Sequence, residues 1–376
     1  MRTTITFFDV IFSLGSWRMK SIKLADYFIG GLWARLAKGR KESQGAIPQT
    51  DTILIIRPGG IGDAIFLLPI LRRIRQEHPA IKIDILCEKR NREIFASQEN
   101  LCRAIYCYDE LKSFLSILHN IYDAVIDTEQ WHYLSALTAY FLKAKITIGF
   151  ATRPLRAKLF THRIDYGLNT YELENFKKLF QPFLDGGEDV KDINLCYTLS
   201  QVQLNWARNN IPEKSVTLFL GGSIPPKRLA KEQAIGIINY ILEKGYIVVL
   251  LGGMDVRKIG QILESEYAHK QILNFIGKTS LDQSAALINR SKLFIGTDSG
   301  LMHMACAVGT SVIGIFGPSN WQKWQPKGDQ HSVVTENVEC SPCTRFGYTV
   351  PTCGGSYRCM RRIDMNEFLN KIIFNV

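Results

Sequence analysis

The stretch Ile295-Gly-Thr-Asp-Ser-Gly-Leu-Met-His-Met-Ala-Cys-Ala-Val-Gly-Thr-Ser-Val-Ile-Gly-Ile-Phe-Gly-Pro318 decides how this chain is read. Leu293 to Ile295 end a buried apolar strand, and Gly296 to Gly300 form a tight polar turn. Leu301 to Val308 have helical character, and Ser311 to Phe316 form the next strand, closed by Gly317-Pro318. A strand that feeds a glycine-rich turn and then a helix leaves unpaired backbone N–H groups at the helix start. Together with the positive end of the helix dipole, they suit a phosphate group. Asp298, Ser299 and His303 stand beside that point. The plain alternative is a helix capped by Asp298 or Ser299, with a histidine that only packs.

The same grammar recurs on both sides of this stretch. Thr52-Ile-Leu-Ile-Ile56 reads as a buried parallel strand, Arg57-Pro-Gly-Gly-Ile-Gly62 as a glycine-rich loop, and Asp63 to Glu77 as a helix. Further strands are expected at Ile81–Leu86, Tyr122–Asp127 and Ile146–Phe150, with helices near Leu134–Leu142 and Tyr171–Phe183. Alternation restarts with strands at Val216–Leu220, Tyr246–Leu251 and Ile272–Phe275. Helices follow at Lys231–Lys244, Val256–Tyr267 and Leu281–Asn289, with a closing helix at Ile363–Phe374. Such alternation implies right-handed crossovers and mostly parallel sheets. The fold class is α/β, with two similar halves. Ligands of open α/β sheets bind beyond the carboxyl ends of the strands, so two facing sheets would place a site in the cleft between them. The expected organisation is an extension and linker over residues 1–50, one Rossmann-like domain over 51–200 and a second over 201–376.

The chain of 376 residues carries a formal charge of +11. Between Met1 and Lys41 stand eight basic residues and only Asp9 and Asp26 as acids. A basic balance suits nucleic acid, an anionic membrane or anionic ligands. No RRM signature or zinc-finger spacing is present, so no nucleic-acid partner is expected. The apolar run Ile5–Trp17 is short, is interrupted by Asp9 and falls below the roughly 20 residues needed to span a bilayer; it also lacks a convincing cleavage site. Leu24, Tyr27, Phe28, Leu32, Trp33 and Leu36 recur at helical spacing beside Lys23, Arg35 and Lys38. That pattern suits either a helix lying on a membrane surface or one packed on the protein's own body.

Taken in order, these motifs resemble glycosyltransferase family 9, the bacterial ADP-heptose:lipopolysaccharide heptosyltransferases. Ile55-Ile-Arg-Pro-Gly-Gly-Ile-Gly-Asp-Ala-Ile-Phe-Leu-Leu-Pro-Ile-Leu71 is similar to the family's first strand, loop and helix, and Tyr122–Asp127 to its acceptor-domain strand. Gly221-Gly-Ser-Ile-Pro-Pro-Lys-Arg228 resembles its basic loop. Leu250-Leu-Gly-Gly-Met-Asp255, Gly277-Lys-Thr-Ser-Leu281 and Asp298-Ser-Gly-Leu-Met-His303 with Phe316-Gly-Pro318 follow in order. The resemblance implies a GT-B fold whose acceptor-binding domain precedes its nucleotide-sugar domain. It also implies an inverting transfer with no cofactor or catalytic metal, an ADP-heptose donor, a lipid A–core acceptor and a cytoplasmic location on the inner-membrane surface. It departs at Leu229-Ala230, where the family often has Trp-Pro, and at Gly59-Gly60, where small hydroxyl residues are common.

An inverting transfer needs a base for the acceptor hydroxyl and positive charge on the departing diphosphate. Asp63 matches the family's catalytic aspartate; at a helix start its ionised form is favoured, which makes it an available but weak base. Lys227 matches the basic residue near the phosphates, with Arg228 beside it. Gly60, Gly62 and Ser223 would line the loops. Asp298, Ser299, Gly300, Leu301 and His303 would hold the diphosphate and sugar, Asp255 the ribose, and Lys278 and Thr279 would border the base. The alternatives are another nucleotide sugar or a protein hydroxyl as acceptor on the same scaffold, or a catalytically silent membrane or assembly protein. A nicotinamide dehydrogenase is excluded, because the spaced G-x-G-x-x-G with its downstream acid is missing.

Cys340, Cys343, Cys353 and Cys359 make a C-x2-C-x9-C-x5-C array among turn residues. Four thiolates suit structural zinc or iron. Reduced unligated thiols are the main alternative, and a cytoplasmic compartment opposes disulfides.

Overall fold

The computed structural model describes residues 7–14, 17–43, 47, 50–142, 144–185, 193–267, 271–336 and 338–372. The chain divides into two compact units, Met1–Asn194 and Leu195–Val376.

In the first unit β1 (Thr52–Arg57), β2 (Lys82–Cys87), β3 (Ala104–Cys107), β4 (Ala124–Asp127), β5 (Ile146–Phe150) and β6 (His162–Ile164) form one sheet. Its order is β3-β2-β1-β4-β5-β6, and every pairing is parallel. Ile53 to Ile56 are buried, as expected of a strand covered on both faces. In the second unit β7 (Ser215–Phe219), β8 (Ile247–Leu251), β9 (Ile272–Asn274), β10 (Leu293–Thr297), β11 (Ser311–Phe316) and β12 (Ser332–Thr335) repeat the plan. The order is β12-β11-β10-β7-β8-β9, again parallel throughout. Strand order therefore reverses between β1 and β4, and between β7 and β10. Loops that leave those strands diverge and open a crevice at the sheet's carboxyl edge.

The expected central strands and helices lie where the apolar runs placed them. The strands that escape the sequence pattern, β3, β6 and β12, all sit at sheet edges. An edge strand is covered less completely, so Ala104–Tyr106 and His162–Ile164 are only half-buried and carry no continuous apolar run. The opening helix begins one residue earlier than expected, at Gly300, and ends at Ala307. The closing helix is shorter than expected. Met365–Asn370 is helical, Phe368 and Ile372 join the second unit's core, and the end at Phe374 lies outside the described residues. So do the first residues of the Ile5–Trp17 run, much of the linker before Thr50, and Gly186 to Glu188 of the expected interdomain stretch.

At the front, helices Phe7–Phe12, Trp17–Ala25 and Gly31–Leu36 belong to the first unit, with a π-helical turn at Asp26–Gly30. Lys23, Asp26, Gly30 and Ala34 are buried at helical spacing, whereas Phe28, Ile29, Leu32, Trp33 and Leu36 are exposed. One face thus packs on the protein's own body and the other is open and aromatic. Among the described residues no helix is long and apolar enough to cross a membrane.

Candidate active site

In the first unit the switch point lies between the loops after β1 and β4. Gly59 adopts φ +86°, and a Cβ on Gly60 would stand 2.3 Å from Asp63 Oδ2. The glycine at 60 is thus what lets the Asp63 carboxylate fold back over the loop. Asn91 Nδ2 donates to Gly59 O at 2.6 Å and fixes the turn from the side. Arg57, the charged residue that closes an otherwise apolar strand, is fully buried. Its Nη1 donates to Thr128 O at 3.0 Å and its Nη2 to Glu129 Oε2 at 3.0 Å, while Nη1 stands 4.0 Å from Asp63 Oδ1. Burial works against the guanidinium charge, but Asp63, Glu129, Glu172 and Asp127 outweigh it and hold Arg57 charged. Deeper in the sheet, Arg156 Nη2 pairs with Asp127 Oδ2 at 2.6 Å.

In the second unit every expected site residue lies at the carboxyl edge of the sheet. Lys227, in a short 3₁₀ turn after β7, reaches Asp298 Oδ2 at 2.6 Å. A Cβ on Gly222 would come within 3.1 Å of Lys227, so this glycine gives the lysine its room. Burial pushes the Asp298 carboxyl up, but Lys227 and His303 outweigh it and hold Asp298 below its usual range. Burial drives the His303 imidazole down to about 4, Asp298 opposing and Lys227 assisting. At neutral pH the imidazole is therefore uncharged, fit to exchange hydrogen bonds rather than to supply charge. Ser299 caps the helix Gly300–Ala307, its Oγ accepting from Met302 N at 3.4 Å. The capping alternative and the anion-binding reading thus coexist, because one hydroxyl satisfies only one of the first-turn N–H groups.

Arg228 Nη2 pairs with Asp255 Oδ2 at 2.7 Å, and its Nε donates to Gly222 O at 3.2 Å. Asp255, the expected ribose acceptor, thus anchors the arginine beside Lys227. Gly277 takes φ +66° under Met254, and Lys278 Nζ donates to Asn274 O at 2.8 Å. Thr279 Oγ1 lies 2.8 Å from Ser284 Oγ. Ser223 follows β7 in the same loop as Lys227. Sequence reasoning missed Arg57, Glu129 and Asn91. The available signal was an arginine ending a buried strand and an acid two residues beyond β4.

The nine cysteines are free thiols. Burial, together with Cys359, Cys340 and Cys353, pushes the Cys343 thiol up to about 11, and burial with Cys340 and Cys353 does the same to Cys359. The four are therefore electrostatic neighbours. At Cys353 burial is outweighed by donation from Tyr357 N, the Ser356 hydroxyl and Gly355 N, which holds that thiol below its usual range. Gly354 and Gly355 are left-handed, φ +61° and +81°, as a turn that aims N–H groups at sulfur requires. Among the described residues, the group whose ligand atoms converge within 4.8 Å is instead Glu77, His78 and Asp185. Those three are engaged with one another and with Arg73.

The chain holds two Rossmann-like units, each opening a loop cluster at its switch point, and its likeness to solved heptosyltransferases shows a GT-B fold. The described family model for glycosyltransferase family 9 (heptosyltransferase) matches residues 111–351. The chain is 26% identical over 291 residues to lipopolysaccharide heptosyltransferase 3 of Escherichia coli, covering 70% of this chain and 82% of that protein. Its fold is similar to E. coli ADP-heptose LPS heptosyltransferase II at TM-score 0.65 and 20% identity, covering 85% of this chain and 99% of that one. It is also similar to the iron-containing dodecameric glycosyltransferase TibC of enterotoxigenic E. coli, at TM-score 0.55 and 15% identity, covering 89% and 77%. The chain belongs to glycosyltransferase family 9 and is a glycosyltransferase.

Proposed function

We propose that this enzyme transfers heptose from ADP-heptose to the inner core of lipopolysaccharide, with inversion at the anomeric carbon. The observation that carries the reading is the Lys227–Asp298 pair, 2.6 Å apart, at the start of helix Gly300–Ala307. It supplies a placed cation and helix-start N–H groups where a diphosphate would leave. As the acceptor oxygen bonds to the anomeric carbon, Asp63 takes the hydroxyl proton. The bond from that carbon to the diphosphate breaks, and its electron pair departs with ADP. Lys227, Arg228 and the N–H groups near Gly300 offset the growing negative charge. Both cations are held in advance by carboxylates, Asp298 and Asp255, so little reorganisation is needed when donor arrives. His303 and Ser299 are assigned to the sugar and phosphate, and Lys278 and Thr279 to the border of the base. Relatives named as lipopolysaccharide and lipooligosaccharide heptosyltransferases support the donor and acceptor. The test is incubation with a panel of nucleotide sugars and truncated lipopolysaccharides. Turnover of ADP-heptose supports the donor, and exclusive turnover of another nucleotide sugar contradicts it.

The exposed aromatic face of the front helices, with Lys20, Arg35 and Lys38 nearby, supports a peripheral position on an anionic membrane such as the cytoplasmic face of the inner membrane. Because Lys23 and Asp26 are buried on the opposite face, deleting the segment would damage the first unit. Leu32→Glu with Trp33→Glu is the cleaner change. Each side chain is worth about 2 kcal/mol on burial, so flotation with phosphatidylglycerol vesicles is expected to fall at least tenfold. Undiminished flotation would reject the docking face.

Structural zinc or iron at Cys340, Cys343, Cys353 and Cys359 is supported by the all-sulfur donor set and by the mutual influence of the four thiols; no three of the sulfurs lie within 4.8 Å of one another, so an ion would have to draw the loop together. Such an ion would pin the loop that follows β12 and supply no catalytic step. Metal analysis of protein purified without oxygen is expected to give about one ion per chain, lost when all four cysteines become serine. Metal-free wild-type protein of full thermal stability would reject the assignment.

A further inference from the structure

The front helices reach further than their exposed face. Asp26 is buried, with Oδ1 accepting from Leu134 N at 2.8 Å and Oδ2 lying 3.2 Å from His132 Nδ1. Lys23 is also buried; burial drives its ammonium down to about 8, with Glu129 opposing that fall and Lys20 adding to it. A Cβ on Gly30 would stand 3.0 Å from Tyr133 Cβ, so the π-helical turn lies directly on that residue. These contacts hold the segment between β4 and helix Tyr133–Phe141, the segment that carries Glu129. Trp131 N in turn donates to Glu129 Oε1 at 3.2 Å, and Glu129 Oε2 holds Arg57.

Burial works against the His132 charge, but Asp26 and Glu129 outweigh it and hold that imidazole above its usual value; with His132 protonated, signs alternate along this route: Asp26, His132, Glu129, Arg57, Asp63. Arg57 spends its donors on Pro58 O, Thr128 O and Glu129. Its 4.0 Å separation from Asp63 exceeds a hydrogen bond. Arg57 therefore biases the charge of Asp63 without being a hydrogen-bond partner that competes with an incoming hydroxyl. Asp127, Glu129, Glu172 and Tyr166 share the same field, and Arg90 Nη2 lies 3.2 Å from where a Cβ on Gly59 would sit.

We propose that Arg57 is a positioning residue for Asp63, and that Asp26 of the front helices completes its support through His132 and the segment that carries Glu129. The segment that presents the aromatic face is then also part of the acceptor-side machinery. This rests on the reading of Asp63 as the base, and it adds a function for a segment otherwise taken only as an anchor.

The experiment uses the full chain and two readouts. Carboxyl-carbon NMR of ¹³C-aspartate protein, with Asp63 assigned by its loss in Asp63→Asn, follows the titration of that carboxyl whatever acceptor is supplied. Initial rates with detergent-dispersed acceptor remove any need for membrane docking. In Arg57→Gln the proton affinity of Asp63 is expected to rise about tenfold or more, carrying the acidic limb of kcat/KM to higher pH. Arg57→Lys, which keeps the charge, should restore most of that shift. Glu129→Gln removes a negative neighbour and should move the titration the opposite way, while kcat falls about tenfold because Arg57 loses its support. Asp26→Asn is expected to lower kcat about threefold with donor KM unchanged. A purely structural role would not give opposite signs for Arg57→Gln and Glu129→Gln. An Asp63 titration unmoved in Arg57→Gln overturns the positioning role. Loss of vesicle binding in Asp26→Asn with an unchanged kcat overturns the part assigned to the front helices. Shifted titrations in a protein that glycosylates no acceptor would leave the positioning chain standing and reject the heptosyl reading.

Discussion

Asp63→Asn is expected to lower kcat by about 10² to 10⁴-fold, the usual worth of a positioned general base, while the affinity for donor stays within about twofold of wild type. Asparagine keeps the shape that folds over Gly60, where a Cβ would approach Asp63 Oδ2 to 2.3 Å, but it cannot take a proton. Alanine removes the base as well, yet it also vacates the space above the loop, so the asparagine variant isolates the chemistry. Donor affinity is expected to survive because Lys227, Arg228 and the helix start at Gly300 all belong to the second unit. Calorimetric titration of donor beside initial-rate measurements separates the two quantities. Arg57 remains held by Thr128 and Glu129 in the variant, so thermal stability should change little.

Lys227→Met is expected to combine two losses. The leaving diphosphate loses a placed cation, which costs about 10² to 10³-fold in kcat. Asp298, 11% exposed in its side chain, loses the partner at 2.6 Å. Breaking a buried pair from one side destabilises by about 3 kcal/mol, and the neutral imidazole of His303 offers no replacement charge. The pH dependence has a definite sign. Asp298 is held below its unfolded value near 3.8, so its contribution is complete above that value and is lost as pH falls through the folded value. The stability gap between wild type and Lys227→Met should therefore be widest near neutrality and narrow in acid. Denaturant melts at several pH values check this. The double variant Lys227→Met/Asp298→Asn should recover most of the stability without recovering the rate, because the unpaired carboxylate is gone while the cation is still missing. Recovery of rate in that variant would mean that Lys227 serves only to neutralise Asp298.

The parts of the fold legible in sequence were those set by burial on both faces. β1, β5, β10 and β11 are rich in β-branched, aliphatic and aromatic residues and buried along nearly their whole length. Edge strands such as β6, with the sequence His-Arg-Ile, satisfy one side only and leave no such run. Asp63 and Lys227, the proposed base and cation, stand out in the sequence because each follows a glycine-rich loop, and the structure places those loops at the switch points. The support around them does not. Arg57 and Glu129 are 72 positions apart, and Asp26 is 106 positions from His132; nothing in local periodicity joins such pairs. The front helices were ambiguous between membrane surface and protein body because their pattern carries two faces. Lys23, Asp26, Gly30 and Ala34 pack inward, and Phe28, Leu32 and Trp33 point outward.

The most direct measurement follows sugar transfer from ADP-heptose to heptose-truncated lipopolysaccharide by the full chain, wild type beside Asp63→Asn, with donor binding recorded on the same preparations. Wild type is expected to release ADP in step with a one-heptose mass gain on the acceptor. Asp63→Asn is expected to bind donor unchanged and to transfer at least about a hundredfold more slowly, on the order expected for loss of a general base. Transfer by Asp63→Asn at the wild-type rate would contradict the division of work between an acceptor base in the first unit and a donor site in the second.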